Sequence, residues 1–251
     1  MSSRSSDSGL GDTIISVPKI PTLESLVHNP AELDEQSQVD ETHFKIRLAN
    51  TEGWRSTASY LIERRYAWRG YKVSPVTETS PNLITLAAFD KERLVATITV
   101  GTDSSNGLVV EKLYPNEVRA LRANGALLCE FTKLAVDNLV RSKLVLAAIF
   151  HIAYIHARYL RGATDLLIEV NPRHVKFYKA MLGFEILGPE RIDPRINAPA
   201  VLMRLEFSYA GSQIERWGGR RELAAEIRTL YPLVFSTAEE KGIASRLHQM
   251  E

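Results

Sequence analysis

The chain has 251 residues, 45% hydrophobic and 24% charged, the make-up of a folded globular protein rather than a disordered or fibrous one. With 31 Lys and Arg against 30 Asp and Glu, the net charge is +1. No overall field then recruits nucleic acid or an anionic membrane, and a charged partner must meet a local patch. One cysteine, Cys129, excludes a disulfide framework or a multi-thiolate metal site and fits a reducing compartment. The polar start MSSRSSDSGLGD, and apolar runs that fall short of the ~18 residues of a membrane span, give the expectation of a cytoplasmic protein.

Residues 1–40 are rich in Ser, Asp, Glu and Pro with scattered aliphatics, and are expected to form a mobile arm. Phe44, Ile46 and Leu48 alternate with Lys45 and Arg47 as in a half-buried strand. The period then changes: Trp54, Ala58, Leu61 and Ile62 share a helical face after the capping candidates Asn50 and Thr51, and Gly70 closes the segment. Leu83–Phe89 and Leu94–Val100, split by Asp90-Lys91-Glu92, read as a hairpin. Pro115 suits the first turn of a short helix that Gly125 stops. Leu127–Val136 reads as a strand with Leu128, Glu130, Thr132, Leu134 and Val136 on one face. Asp137 and Asn138 then offer an N-cap to a long helix that is apolar nearly all round and ends at Gly162, a helix to be buried against a sheet.

Strand Asp165–Val170, a helix opening at Asn171-Pro172, and strands Phe184–Leu187 and Ala200–Phe207 complete the body. A tail amphipathic around Leu223, Ile227 and Leu230 follows. The predicted class is α/β, a mixed (α+β) sheet with helices on both faces. The predicted organisation is an arm over 1–40, a domain over 41–210 and a helical extension over 211–251. Ligands enter such sheets beside strand carboxyl ends, which points to strands 127–136 and 165–170.

Asn171-Pro172-Arg173-His174-Val175-Lys176-Phe177-Tyr178 with Leu182-Gly183-Phe184 resembles the closing segment of Gcn5-related N-acetyltransferase-fold enzymes, and the element order extends that resemblance over roughly 43–207. The resemblance implies a bulged strand at 127–136 splayed from strand 165–170, with a pantetheine cleft between them and backbone N–H groups for the thioester carbonyl. Coenzyme A users of the fold carry a glycine-rich turn after the bulged strand. Here that place reads Asp137-Asn138-Leu139-Val140-Arg141-Ser142-Lys143, without glycine. Glu130-Phe131-Thr132-Lys133-Leu134-Ala135-Val136 resembles acyl-homoserine lactone synthases, and resembles still more the long-chain N-acyl amino acid synthases, as does Arg65-Tyr66-Ala67-Trp68-Arg69-Gly70-Tyr71. Lactone synthases place several acids before the hairpin, suited to cationic S-adenosylmethionine; Val73–Asn82 offers Glu78 alone.

The resemblance therefore implies an acyltransferase that moves a medium or long chain from phosphopantetheine on acyl carrier protein, in preference to acyl-coenzyme A, to an amino acid. Lactone synthesis and a silent carrier-binding module are the alternatives. Glu130 is the candidate base and Tyr178 the candidate acid for the leaving thiolate. Leu134, Ala135, Val136 and Asn171 would meet the donor; Arg65, Arg69 and Lys133 would meet the acceptor, the arginines as a fork for its carboxylate. Arg141, Lys143, Arg173, Lys176 and Lys179 form a candidate docking row for an acidic carrier. His151 and His156 read as core histidines. No metal, permanently bound cofactor or nucleic acid is expected, and membrane contact is expected only of the product.

Overall fold

The computed structural model describes residues 13–18, 43–49, 52–67, 82–137 and 143–250. Among them nine strands form a mixed sheet: β1 (Thr13–Pro18), β2 (His43–Leu48), β3 (Leu83–Asp90), β4 (Arg93–Thr102), β5 (Leu128–Val136), β6 (Asp165–Val170), β7 (Glu185–Ile186), β8 (Arg191–Asp193) and β9 (Ala198–Glu206). The order is β1-β2-β3-β4-β5-β6-β9-β7, with β8 paired to β9. Every pairing is antiparallel except β5 with β6. The helices are α1 (Glu52–Ala67), α2 (Pro115–Ala123), α3 (Lys143–Ile155), α4 (Val175–Leu182), α5 (Phe207–Trp217) and α6 (Thr237–Gln249).

Strand alternation sorts the core onto two faces. On one, Cys129, Phe131, Leu166, Ile168, Met203 and Leu205 join the apolar residues of α3, and the segments after β9 close over them. On the other, Leu61 and Ile62 of α1 meet Ala87, Phe89, Leu94 and Ala135. Further along that same face, Leu108, Val110, Tyr114, Val118 and Leu121 cover Leu128, Leu167 and Leu202. Lys143–Leu160, with the last turn widened to a π-helix, has the length and apolarity of a membrane span, more than the sequence reading allowed, but 72% of it is buried inside the protein.

A bulge in β5 shapes the site. Thr97 opposes Ala135 and Thr99 opposes Thr132, so Ile98 of β4 faces two residues, Lys133 and Leu134. The extra residue needs a local kink, and Lys133 supplies it at φ 51°, a left-handed conformation that costs a non-glycine residue about 1–3 kcal/mol. The bulge also inverts the alternation. Leu134 and Val136 pack with the α3 face, on which Phe131 lies, while Ala135 joins the α1 face. The predicted single face for Leu128, Glu130, Thr132, Leu134 and Val136 is therefore corrected: an unbroken period of two cannot run through an inserted residue.

Other departures have equally local causes. Thr13–Pro18, expected within the mobile arm, pairs with β2 and buries Ile14 and Val17. The described part of the long helix is Lys143–Ile155, and Asn138, one of its two predicted caps, lies outside the described residues; the other, Asp137, has a buried carboxylate that pairs with Arg93 at 2.6 Å and Arg64 at 3.4 Å. The tail has two α-helices, α5 and α6, and between them the predicted amphipathic stretch around Leu223 forms only short 3₁₀ turns, Arg221–Ala225 and Tyr231–Leu233.

Candidate active site

β5 and β6 pair for three residues only: Leu128 with Asp165, Cys129 with Leu166, and Glu130 with Leu167. From Phe131 onward the edge of β5 that faces β6 has no ladder partner there, and a gap opens between the strands. Glu130 sits at the root of the gap with 2% of its surface exposed. Its side chain lies on the α1/α2 face, opposite Gly101 of β4. The missing Cβ at Gly101 matters, because an added one would stand 3.0 Å from Glu130 Cγ and 3.2 Å from Leu83 Cδ2.

The Glu130 carboxylate is held by backbone. Oε1 accepts the N–H of Val109 at 2.9 Å and Oε2 that of Val110 at 3.0 Å, at the start of the 3₁₀ turn Val109–Lys112. That turn is in turn anchored: Leu108 N–H donates to Glu111 Oε1 at 2.7 Å, and Arg122 bridges Glu111 and Asp103, the latter at 2.7 Å. Burial drives the Glu130 pKa up to about 7; the two amides pull it down, nearby Glu169 pushes it up and Arg195 pulls it down. Each carboxylate oxygen retains a lone pair beyond its amide bond. The group is thus a buried carboxyl that titrates near neutrality in a fixed orientation, the property required of a general base.

Around it lies a polar strip in an otherwise apolar face. Thr85 and Thr99 share a 2.8 Å hydroxyl hydrogen bond, and Thr97 donates to the Lys133 carbonyl at 3.2 Å across the bulge. Glu169, opposite Leu202 on β6, extends the strip beyond the gap. Burial raises its pKa, against the pull of Arg195. Arg195 binds Glu169 and Asp193, and its Nη1 reaches the Val109 carbonyl at 3.5 Å. It thereby ties β6 and β8 to the turn that holds Glu130.

The α3 face of the gap is aromatic and apolar. Phe131, the first residue of β5 beyond the pairing, stacks edge-on to Phe150 at 5.7 Å, and Phe150 is followed by Tyr178 at 6.3 Å and Tyr178 by Phe184 at 5.6 Å. Behind Phe131 lies an apolar cavity of about 30 Å³, bounded by α3, Leu166, Leu182 and the chain after β9. The two strands therefore separate a titratable, hydroxyl-lined face from an apolar one.

A family model of the N-acyl amino acid synthase FeeM matches residues 57–206. The chain belongs to the FeeM family of N-acyl amino acid synthases. The structure of FeeM, an N-acyl amino acid synthase from uncultured soil microbes, is 26% identical with a TM-score of 0.61, covering 67% of this chain and 94% of that one. The acyl-homoserine lactone synthase LasI is 12% identical with a TM-score of 0.49 over 65% and 90% of the two chains. An N-acetyltransferase from Staphylococcus aureus Mu50 is 13% identical with a TM-score of 0.46 over 66% and 98%. A comparison with curated protein sequences finds no match. The protein is accordingly an acyltransferase, and the parting of β5 from β6 is its candidate cleft.

Glu130 and Tyr178 stand on opposite faces of this candidate cleft. Glu130 takes its bonds from two backbone amides. Tyr178 is half-buried on α4 with its ring against Phe150, Phe177 and Phe184. Leu134, Ala135 and Val136 belong to the part of β5 beyond its pairing with β6. Asn171 ends β6 as an N-cap: Oδ1 accepts Arg173 N–H at 3.3 Å and Nδ2 donates to the Pro199 carbonyl at 3.4 Å. Lys133 is the bulge residue itself. Arg173, Lys176 and Lys179 are exposed in a row at three-residue spacing, and Lys143 is exposed at the start of α3. Arg69, Arg141 and the side chain of Arg65 lie outside the described residues. Among the described residues no three His, Cys, Asp or Glu side chains are grouped to hold a metal ion.

Sequence reasoning missed Thr97, Thr99, Gly101, Glu169 and Arg195. A signal existed for some of them: hydroxyls at alternate positions in ATITVG, and a glutamate in the apolar strand DLLIEV. None existed for Arg195, which reaches the site from a turn beyond β8.

Proposed function

We propose that the protein moves a medium or long acyl chain from the phosphopantetheine thioester of an acyl carrier protein to the α-amine of an amino acid, giving an N-acyl amino acid. The observation that carries this reading is the parting of β5 from β6 directly beyond Glu130, between a polar strip and an apolar cavity. A thioester laid in the gap turns its chain to the α3 face and its carbonyl to an amine arriving over the threonines. The amine lone pair attacks the carbonyl carbon. Its proton passes to Glu130, directly or through one water, and the tetrahedral intermediate collapses with cleavage of the C–S bond. The departing thiolate takes a proton from Tyr178 on the opposite face. A backbone N–H within the stretch Leu134 to Val136 serves the oxyanion.

Two features favour a carrier protein over coenzyme A. The stretch Asp137–Lys143 has no glycine with which to build a pyrophosphate nest. The exposed row Arg173, Lys176 and Lys179 gives an acidic carrier a complementary rim. Arg141 and Lys143 are assigned to the same rim. The acceptor's α-carboxylate is assigned to Arg65 or Arg69, with Lys133 beside it, and no resident cofactor is required. The single buried cysteine is in keeping with work in a reducing cytoplasm.

Single-turnover release of carrier thiol tests the reading. Release should depend on added amino acid and fall sharply when the amino acid is replaced by its amide. Equal release with amino-acid amides would overturn carboxylate recognition, and equal or better kcat/KM with a matched acyl-coenzyme A would overturn the carrier assignment.

A further inference from the structure

The cavity behind Phe131 is walled on its far side by chain that the family match does not include. That match ends at residue 206, yet five of the twelve lining residues, Phe207, Ala210, Ile214, Tyr231 and Val234, follow it. The near wall, Phe131 with Leu166, stands where β5 and β6 part.

The far wall is pinned at several points. Tyr231 Oη donates to the Leu182 carbonyl at 2.7 Å, and Leu230 N–H donates to the Met181 carbonyl at 2.9 Å, fixing the 231–233 turn to α4. Phe235 N–H donates to Nδ1 of His151 on α3 at 3.1 Å, and the other ring nitrogen of His151 faces Glu240 of α6 at 3.5 Å. Arg158 Nη1 donates to the Phe207 carbonyl at 2.6 Å. A wall tied to two helices by buried hydrogen bonds does not retreat to admit a longer ligand. The void it closes is apolar and about 30 Å³, room for about two groups of water or methylene size.

We infer that residues 207–234 act as a chain-length stop: the tail of the acyl chain passes Phe131 and its last carbons end in this cavity against Ala210, Ile214, Tyr231 and Val234. The inference rests on the acyl-transfer reading above and adds its specificity determinant. Shape alone sets such a limit, because each methylene that finds apolar surface strengthens binding about four-fold and the first that meets the wall finds no room.

Two measurements on the full-length protein decide it. Free saturated fatty acids of eight to sixteen carbons, titrated calorimetrically, should bind with affinity rising about four-fold per methylene to a break, beyond which it stops rising. Ala210→Leu, which fills the cavity, should move the break to shorter chains by one or two carbons. Val234→Ala and Ile214→Ala, which enlarge it, should move the break to longer ones, and thermal melts identify any variant that does not fold. The second measurement is the chain-length profile of N-acyl amino acid formed by each variant, which should move with the binding break. Binding whose break stays in place in filled and enlarged variants alike overturns the stop. A break that moves while no variant forms product would uphold the stop and refute the transfer reading instead.

Discussion

Replacing Glu130 by Gln keeps the shape of the side chain and removes its charge. The carboxyl titrates at about 7 in the fold against an ordinary 4.5, and at about 1.36 kcal/mol per pKa unit this makes its ionised form about 3 kcal/mol less favourable than in water. The folded pKa is raised, so the associated stability is fully present below pH 4.5 and is lost as the pH rises through about 7. Gln cannot titrate. It also turns an NH₂ toward one of the two amides of Val109 and Val110, a donor facing a donor that costs about 1–3 kcal/mol at every pH. Denaturant unfolding between pH 4 and 8.5 should therefore show the difference between wild type and Glu130→Gln changing by about 3 kcal/mol in favour of the variant as the pH rises. Over the same range wild-type kcat/KM should climb through pH about 7, and the variant should fall about 100-fold or more and lose that limb. Parallel stability curves would refute the buried-carboxylate argument, and a near-normal rate with the limb intact would place the base elsewhere.

Gly101→Ala forces a Cβ to 3.0 Å from Glu130 Cγ; a stability loss of about 1–3 kcal/mol by thermal melt and a weakened kcat are expected, and an unperturbed enzyme would show that the contact is slack. Lys133→Gly should preserve or raise stability, whereas Lys133→Val, β-branched at a positive φ, should cost at least about 1 kcal/mol; the reverse order in denaturant unfolding would deny the bulge its conformation. Arg65→Lys or Arg69→Lys should raise the acceptor's KM with donor parameters unchanged, since a point charge cannot replace a fork, and a rise in donor KM instead would reassign the arginine. Charge reversal at Arg173 and Lys176 together should slow association with the carrier and flatten its salt dependence, and an unaltered rate by stopped flow would remove the row from the docking surface.

The elements that pack on one face were legible because burial writes a period into the sequence. The apolar run 144–155 announced a helix against a sheet, and DLLIEV a central strand. The cleft was legible from the motif around Glu130 and from 171–184, which carry the family resemblance. The consequences of the bulge were not, since one inserted residue leaves no compositional trace yet sends Leu134 and Val136 to the face opposite Glu130. The 3₁₀ turn whose backbone holds Glu130 was equally hidden: Val109 and Val110 contribute N–H groups, which every residue but proline possesses. The strand at 13–18 was obscured by its polar surroundings, because its stability comes from pairing with β2 rather than from its own composition.

The product formed tests acyl transfer to an amino acid most directly. Purified protein, a dodecanoyl acyl carrier protein and a mixture of amino acids should yield, by mass spectrometry, an N-dodecanoyl amino acid in step with free carrier thiol. Free dodecanoic acid in place of an amide, or no loss of acyl carrier at all, would contradict it.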